Sequence, residues 1–289
     1  MGPIRFIFPA FVLAMWVICG IGLTQGTWTG IHWAMLAVAH VSCAVIFRNF
    51  VFVFSYGYGI SMMLLNLMIM VWRPVPAALI VGGLGLAYGI RLTWFVHARH
   101  HSGVYDAARR RVEHTKADTS ADVPLPLRLF MWISCGWLMT FVAMPTWVAA
   151  NTMGNLSRGT LAGASLMLAG LLLETIADRQ KQRAKAVNPD QVVVHGLYSR
   201  VRHPNYLGEI IFQTGLLVVV PATLTAGGVA DAGVTKSWAM VAGLLGPLYI
   251  VILMYFAARD QDRRQAERYG QDPAFRTWRQ QSSMLLPGL

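Results

Sequence analysis

The feature that most constrains this chain is a succession of apolar runs, each long enough to cross a lipid bilayer. A spanning helix needs roughly 20 mostly apolar residues. Such runs extend over Ile4 to Leu23, Ile31 to Ile46, Phe50 to Val71, Val75 to Val96, Leu129 to Ala149, Thr160 to Ala177, Ile210 to Ala230 and Ser237 to Phe256. Only Arg48 and Asn49 separate the second run from the third, so a merged or re-entrant segment giving seven spans is an alternative to eight. The first run exceeds the apolar length of a signal peptide and is followed by further spans, which predicts that it is retained. The expected fold is therefore all-α, an integral membrane helical bundle with seven or eight transmembrane helices and basic cytoplasmic loops. One integral membrane domain covering 1–289 is expected, with the helices of 1–128 on the substrate side and 129–289 on the cofactor side.

Composition agrees. Hydrophobic residues make up 55% of the chain and charged residues only 13%, about half the charged share of a soluble domain, roughly a quarter. The net charge of +11 would suggest nucleic acid in a soluble protein, but in so apolar a chain it suggests basic loops. Eighteen of the 24 Lys and Arg residues lie in three segments, 97–128, 178–209 and 257 onward. The connections between those three carry only Arg158 and Lys236. Positive-inside topology then places the three basic segments, and with eight helices the N-terminus, in the cytoplasm of what is expected to be a bacterial inner membrane protein. Cys19, Cys43 and Cys135 are far apart in apolar runs and predict buried thiols. His97, His100 and His101, with Arg99 among them, lack a nearby carboxylate or thiolate and read as an interfacial basic cluster, so no metal site is expected.

Chemistry concentrates in 174–209. Glu174 and Asp178 are one helical turn apart on one face, and the same face continues to Gln182 and Lys185. They read equally well as ligand acceptors or as interfacial carboxylates beside snorkelling cations. Next comes His195-Gly-Leu-Tyr-Ser-Arg-Val-Arg-His-Pro-Asn-Tyr-Leu-Gly-Glu209. Pro204 suits the first turn of a helix, where its missing N–H costs nothing. Asn205 and Glu209 then share a face, while Arg200, Arg202 and His203 gather at the positive helix end, a natural place for phosphate oxygens.

Tyr198, the Arg-His-Pro-Asn-Tyr-Leu-Gly-Glu run at 202–209, Ala-Asp-Arg-Gln-Lys at 177–181 and Arg-Tyr-Gly-Gln-Asp-Pro-Ala-Phe at 268–275 resemble the C-terminal domain of the steroid 5-alpha-reductase superfamily, in its bacterial branch. The resemblance covers little more than the last 120 residues. It implies a helical membrane oxidoreductase that binds NADPH at its cytoplasmic side and reduces a carbon–carbon double bond conjugated to a ketone in a steroid-like or other lipid drawn from the bilayer.

By position in the shared motifs, Asp178, Lys185, Asn205 and Glu209 would contact the cofactor, with Asn205 and Glu209 at the nicotinamide end. Arg179, Arg183, Lys185, Arg200 and Arg202 would meet its phosphates, and Tyr198, His203 and Tyr206 would complete the site, a His before Pro reading equally well as a helix-entry residue. Hydride transfer builds charge on the ketone oxygen, so a donor must be held there. In steroid-active relatives a Gln-Glu pair and a Tyr provide it. This sequence contains no Gln-Glu dipeptide, and Tyr58 or Tyr88 is the candidate acid beside Glu209 as a catalytic residue, core packing being the other role open to either tyrosine. No Gly-rich dinucleotide fingerprint follows a strand, which excludes a Rossmann site.

Two other functions fit the sequence. Isoprenylcysteine and phospholipid methyltransferases share a similar Arg-His-Pro-x-Tyr motif, so an S-adenosylmethionine-dependent methyltransferase is one. A non-catalytic lipid-binding protein is the other. The cations at 179–202 favour a phosphorylated dinucleotide over zwitterionic S-adenosylmethionine.

Overall fold

The computed structural model describes residues 4–101, 123–152, 156–227, 229–230 and 234–286. Those residues are all-helical, with isolated bridges in place of strands. In chain order the α-helices are α1 (Ile4–Thr24), α2 (Gly30–Cys43), α3 (Tyr56–Trp72), α4 (Pro76–His100), α5 (Leu125–Ala150), α6 (Arg158–Val187), α7 (Pro204–Ala226), α8 (Lys236–Tyr269) and α9 (Pro273–Gln281). Short 3-10 turns cover Ala44–Phe47, Phe50–Phe54 and Gly196–Ser199.

Among the described residues, six helices are long and apolar enough to cross a bilayer: Gly30–Phe47, Pro76–His100, Leu125–Ala150, Arg158–Val187, Pro204–Ala226 and Lys236–Tyr269. They mark an integral membrane protein. The apolar stretches Phe8–Thr24 and Tyr56–Trp72 are shorter helices. The run expected to span from Phe50 is divided at Ser55, because the Asn49 side chain accepts from Val51 N–H at 3.0 Å and starts a 3-10 turn before α3 begins. Prolines start elements at the first turns of α4, α7 and α9, where no intrahelical bond is lost. Pro9, Pro145, Pro221 and Pro247 lie inside helices, as membrane helices tolerate.

The chain forms two compact units, Met1–Ala164 with Gly215–Tyr249, and Ser165–Thr214 with Ile250–Leu289. In the first unit, α3 and α4 touch backbone to backbone: a methyl group added at Gly89 would lie 2.5 Å from the Met63 nitrogen. Two polar side chains buried here, Thr146 and Asn66, are paired with each other. Thr146 donates to Asn66 Oδ1 at 2.6 Å and Asn66 Nδ2 donates to the Met62 carbonyl at 2.7 Å. His32 is fully buried against the ring of Trp147, 4.6 Å between centroids.

Candidate functional site

The second unit is built on a close crossing of α6 and α7. A methyl at Gly208 would lie 2.6 Å from the Glu174 nitrogen, so only glycine lets the helices meet there. This crossing buries three carboxylates, Glu174, Asp178 and Glu209, each under a tenth exposed. Glu209 accepts from Gln213 Nε2 at 2.8 Å, one turn further along α7. Buried carboxylates at a membrane helix mouth are costly unless hydrogen-bonded, which makes them site candidates.

Beyond the crossing, the same unit encloses a cavity of about 320 Å3. Lys181 and Lys185 enter it from α6; Tyr198, Arg202 and His203 enter from the loop that precedes α7. Gln261, Arg264, Gln265, Arg268 and Tyr269 form one face of α8, at spacings of three and four residues, and Trp278 comes from α9. Among the described residues, five Lys or Arg side chains and a histidine line the cavity, and no carboxylate does. Three aromatic rings share the wall. Gln265 Oε1 is buried there and accepts no hydrogen bond among the described residues.

The cavity wall is held from behind. Arg202 donates from Nε to Asp262 at 2.6 Å and from Nη1 to the carbonyls of Arg279, at 3.1 Å, and Ser282. Arg279 donates to the other oxygen of Asp262 at 2.8 Å. The tail then pairs with the loop: Arg202 N–H donates to the Ser283 carbonyl at 2.8 Å and Ser283 N–H to the Arg200 carbonyl at 3.0 Å. The Trp278 indole donates to the Tyr198 carbonyl at 2.8 Å, and the Gln180 side chain accepts from Leu197 N–H at 2.9 Å. His203, buried and 3.6 Å from Asp262 Oδ1, has its pKa lowered by burial, with the Asp262 carboxylate opposing that shift.

Over residues 16–282 the chain matches a family described as a protein of unknown function, DUF1295. The chain belongs to that family. No curated protein and no solved structure matches it.

Of the residues singled out by sequence, this DUF1295 protein brings Lys185, Tyr198, Arg202 and His203 to the cavity. Arg202 is there as a tied strut, its guanidinium already shared between Asp262 and two carbonyls. Asp178 and Glu209 are buried and outside the lining. Asn205 and Tyr206 sit half-buried on the first turn of α7, the Tyr206 ring 5.7 Å from that of His203. Arg179 and Arg183 are exposed on α6, and Arg200 lines a second, mostly apolar hollow with Leu173, Leu197, Pro204 and Leu207. Tyr58 and Tyr88 belong to the first unit, both buried, their rings 5.7 Å apart. The sequence reading missed the face of α8, whose Arg264 and Arg268 it counted as topology alone. The signal was present in the repeat of polar residues at 261, 264, 265 and 268, which continues a helix past the end of its apolar run.

Proposed function

We propose that this protein is an NADPH-dependent membrane reductase that transfers a hydride to a carbon–carbon double bond conjugated to a ketone in a steroid-like or other lipid. The observation that carries the reading is the cavity of the second unit, lined among the described residues by five Lys or Arg side chains and three aromatic rings and by no carboxylate. Lys181, Lys185, Arg264 and Arg268 offer charge-assisted donors to phosphate oxygens, although Lys185 also donates to the Pro189 and Gln191 carbonyls, Arg264 pairs with Asp260 and Arg268 with Asp190. Tyr198, Tyr269 and Trp278 offer faces for a base, and the orphaned Gln265 carbonyl accepts from a ribose hydroxyl or an adenine amine. At about 320 Å3 the cavity lies at the small end of ligand sites, so it takes the phosphate-bearing adenosine part of the cofactor. Asn205 and the Glu209–Gln213 pair on α7 present the donors and acceptors that a carboxamide needs. When bound, NADPH supplies the hydride. The proton for the ketone oxygen is assigned to the phenol of Tyr58 or Tyr88.

The basic ends of α4, α6 and α8 are proposed to face the cytoplasm of a bacterial inner membrane. With Phe8–Thr24 and Phe50–Trp72 also crossing, the count is eight, and it is seven if the second and third apolar runs merge.

Purified protein should bind NADPH more tightly than NADH, and both Glu209→Gln and Arg264→Gln/Arg268→Gln should weaken that binding. Tight binding of S-adenosylmethionine with no binding of NADPH overturns the reading in favour of methyl transfer. NADPH binding without turnover of any enone lipid favours a non-catalytic binding protein.

A further inference from the structure

A hollow in the first unit has a chemistry of its own. It measures about 400 Å3 and is lined on its polar side by Arg48, Tyr56, His97, His100 and His101, with Phe52 on its apolar floor. In sequence these are a polar break and a basic helix end about 50 residues apart; the fold brings them to one cavity. No carboxylate lines it among the described residues.

The imidazoles are held rather than loose. His101 Nδ1 donates to the His97 carbonyl at 2.9 Å, which fixes the ring against the helix end. The His97 and His101 rings lie 4.2 Å apart, and the His100 ring packs edge-on to Phe52 at 5.6 Å. The C-terminal end of α4 is the negative pole of its helix, which by itself repels an anion, so any anion bound here depends on the side chains.

Apolar residues of the same turns face outward. Phe47 and Phe54 are 39% and 52% exposed and Val51 is 57% exposed. A guanidinium and a group of imidazoles bordered by exposed apolar side chains at the end of a membrane helix match a lipid with an anionic head in shape and hydrogen-bonding chemistry.

We propose that this hollow binds the phosphate head of an anionic phospholipid, held by Arg48, His97 and His100, with its acyl chains along Phe47, Val51 and Phe54. The site is independent of the reductase reading.

The test is retention of phosphatidylglycerol, phosphatidylcholine and inorganic phosphate by the full chain in detergent, read by native mass spectrometry. One phosphatidylglycerol per chain is expected, preferred about tenfold over phosphatidylcholine, and Arg48→Gln/His100→Gln should abolish that preference. His97→Gln, the second variant, should reduce it. Arg276→Gln removes an exposed cation on α9 and should leave it intact. Equal retention of the two lipids, an equal loss in Arg276→Gln, or unchanged preference in the Arg48 and His variants overturns the proposal. Uptake of inorganic phosphate without a lipid preference overturns it in favour of a free-anion site.

Discussion

Two helix pairs in this protein meet by the same device and carry different chemistry. At α3–α4 the contact is made by Gly59 and Gly89, and at α6–α7 by Gly170 and Gly208; in each pair an added methyl would strike backbone of the facing helix. Around the first crossing the buried polar groups are uncharged, the amide of Asn66, the hydroxyl of Thr146 and the phenols of Tyr58 and Tyr88. Around the second they are the carboxyl groups of Glu174, Asp178 and Glu209. Close backbone approach gives packing in both. Among the described residues the second pair places carboxylates at its crossing, groups that burial alone would make expensive, and its unit also holds the cavity lined by five Lys or Arg side chains. Packing is therefore a poor guide to function here, and the kind of polar group it encloses is a good one.

The comparison can be broken most severely at the glycines themselves. Gly89→Leu and Gly208→Leu each force a side chain into facing backbone, an overpacking cost of about 3 kcal/mol or more. Both should lower the folded fraction seen by size exclusion, but only Gly208→Leu should also reduce NADPH retention per folded molecule. Equal retention in the two variants removes the distinction between the crossings. Next in size is Asp262→Asn, which leaves the partly buried Arg202 guanidinium without its carboxylate, at a cost of about 3 kcal/mol in thermal unfolding. An unchanged unfolding midpoint would mean that the two tail carbonyls suffice to hold Arg202.

Thr146→Val should cost about 1–2 kcal/mol, by depriving buried Asn66 Oδ1 of its donor, and should leave nucleotide binding alone. The smallest effect is a pH dependence. Because burial lowers the His203 pKa below its ordinary 6.5, the unfolded chain binds the proton more readily than the folded one. The contribution of neutral His203 to stability is thus complete above about pH 6.5 and is lost as pH falls through the lowered value. Comparing unfolding midpoints across that range, His203→Gln should flatten part of the slope; an identical slope in the variant would remove His203 as its source.

The sequence made the helices legible because bilayer thickness imposes a length that each apolar run reports directly. Each expected run overlaps a helix, but among the described residues six helices are long and apolar enough to span; the run from Phe50 is divided at Ser55 by a local capping bond too short-ranged to disturb the hydropathy pattern, and the helix of the 210–230 run ends at Ala226. The candidate site was legible where its residues lie close in sequence, from Lys185 to His203. It was not where partners are distant: Asp262 lies 60 residues from Arg202, and Trp278 lies 80 from Tyr198. No local pattern announces such pairs. Arg202 shows the cost of reading charge without geometry, since a cation that suits a phosphate suits a carboxylate equally well. Positive-inside bias had also masked Arg264 and Arg268, because one explanation for a cation conceals a second.

The pairing of Val201 with Ser283 has a consequence for how the protein is made. The ribosome synthesises Tyr198 some 80 residues before the tryptophan that bonds its carbonyl. Helices α6 and α7 can enter the bilayer and pack during that interval, but the back of the cavity does not yet exist. The basic cavity is thereby completed only after α6 and α7 are in place, and a nascent chain lacks the wall that Trp278 supplies. A protease that clipped the chain just before Trp278 would return a finished molecule to that same immature state while leaving α1 through α8 uncut.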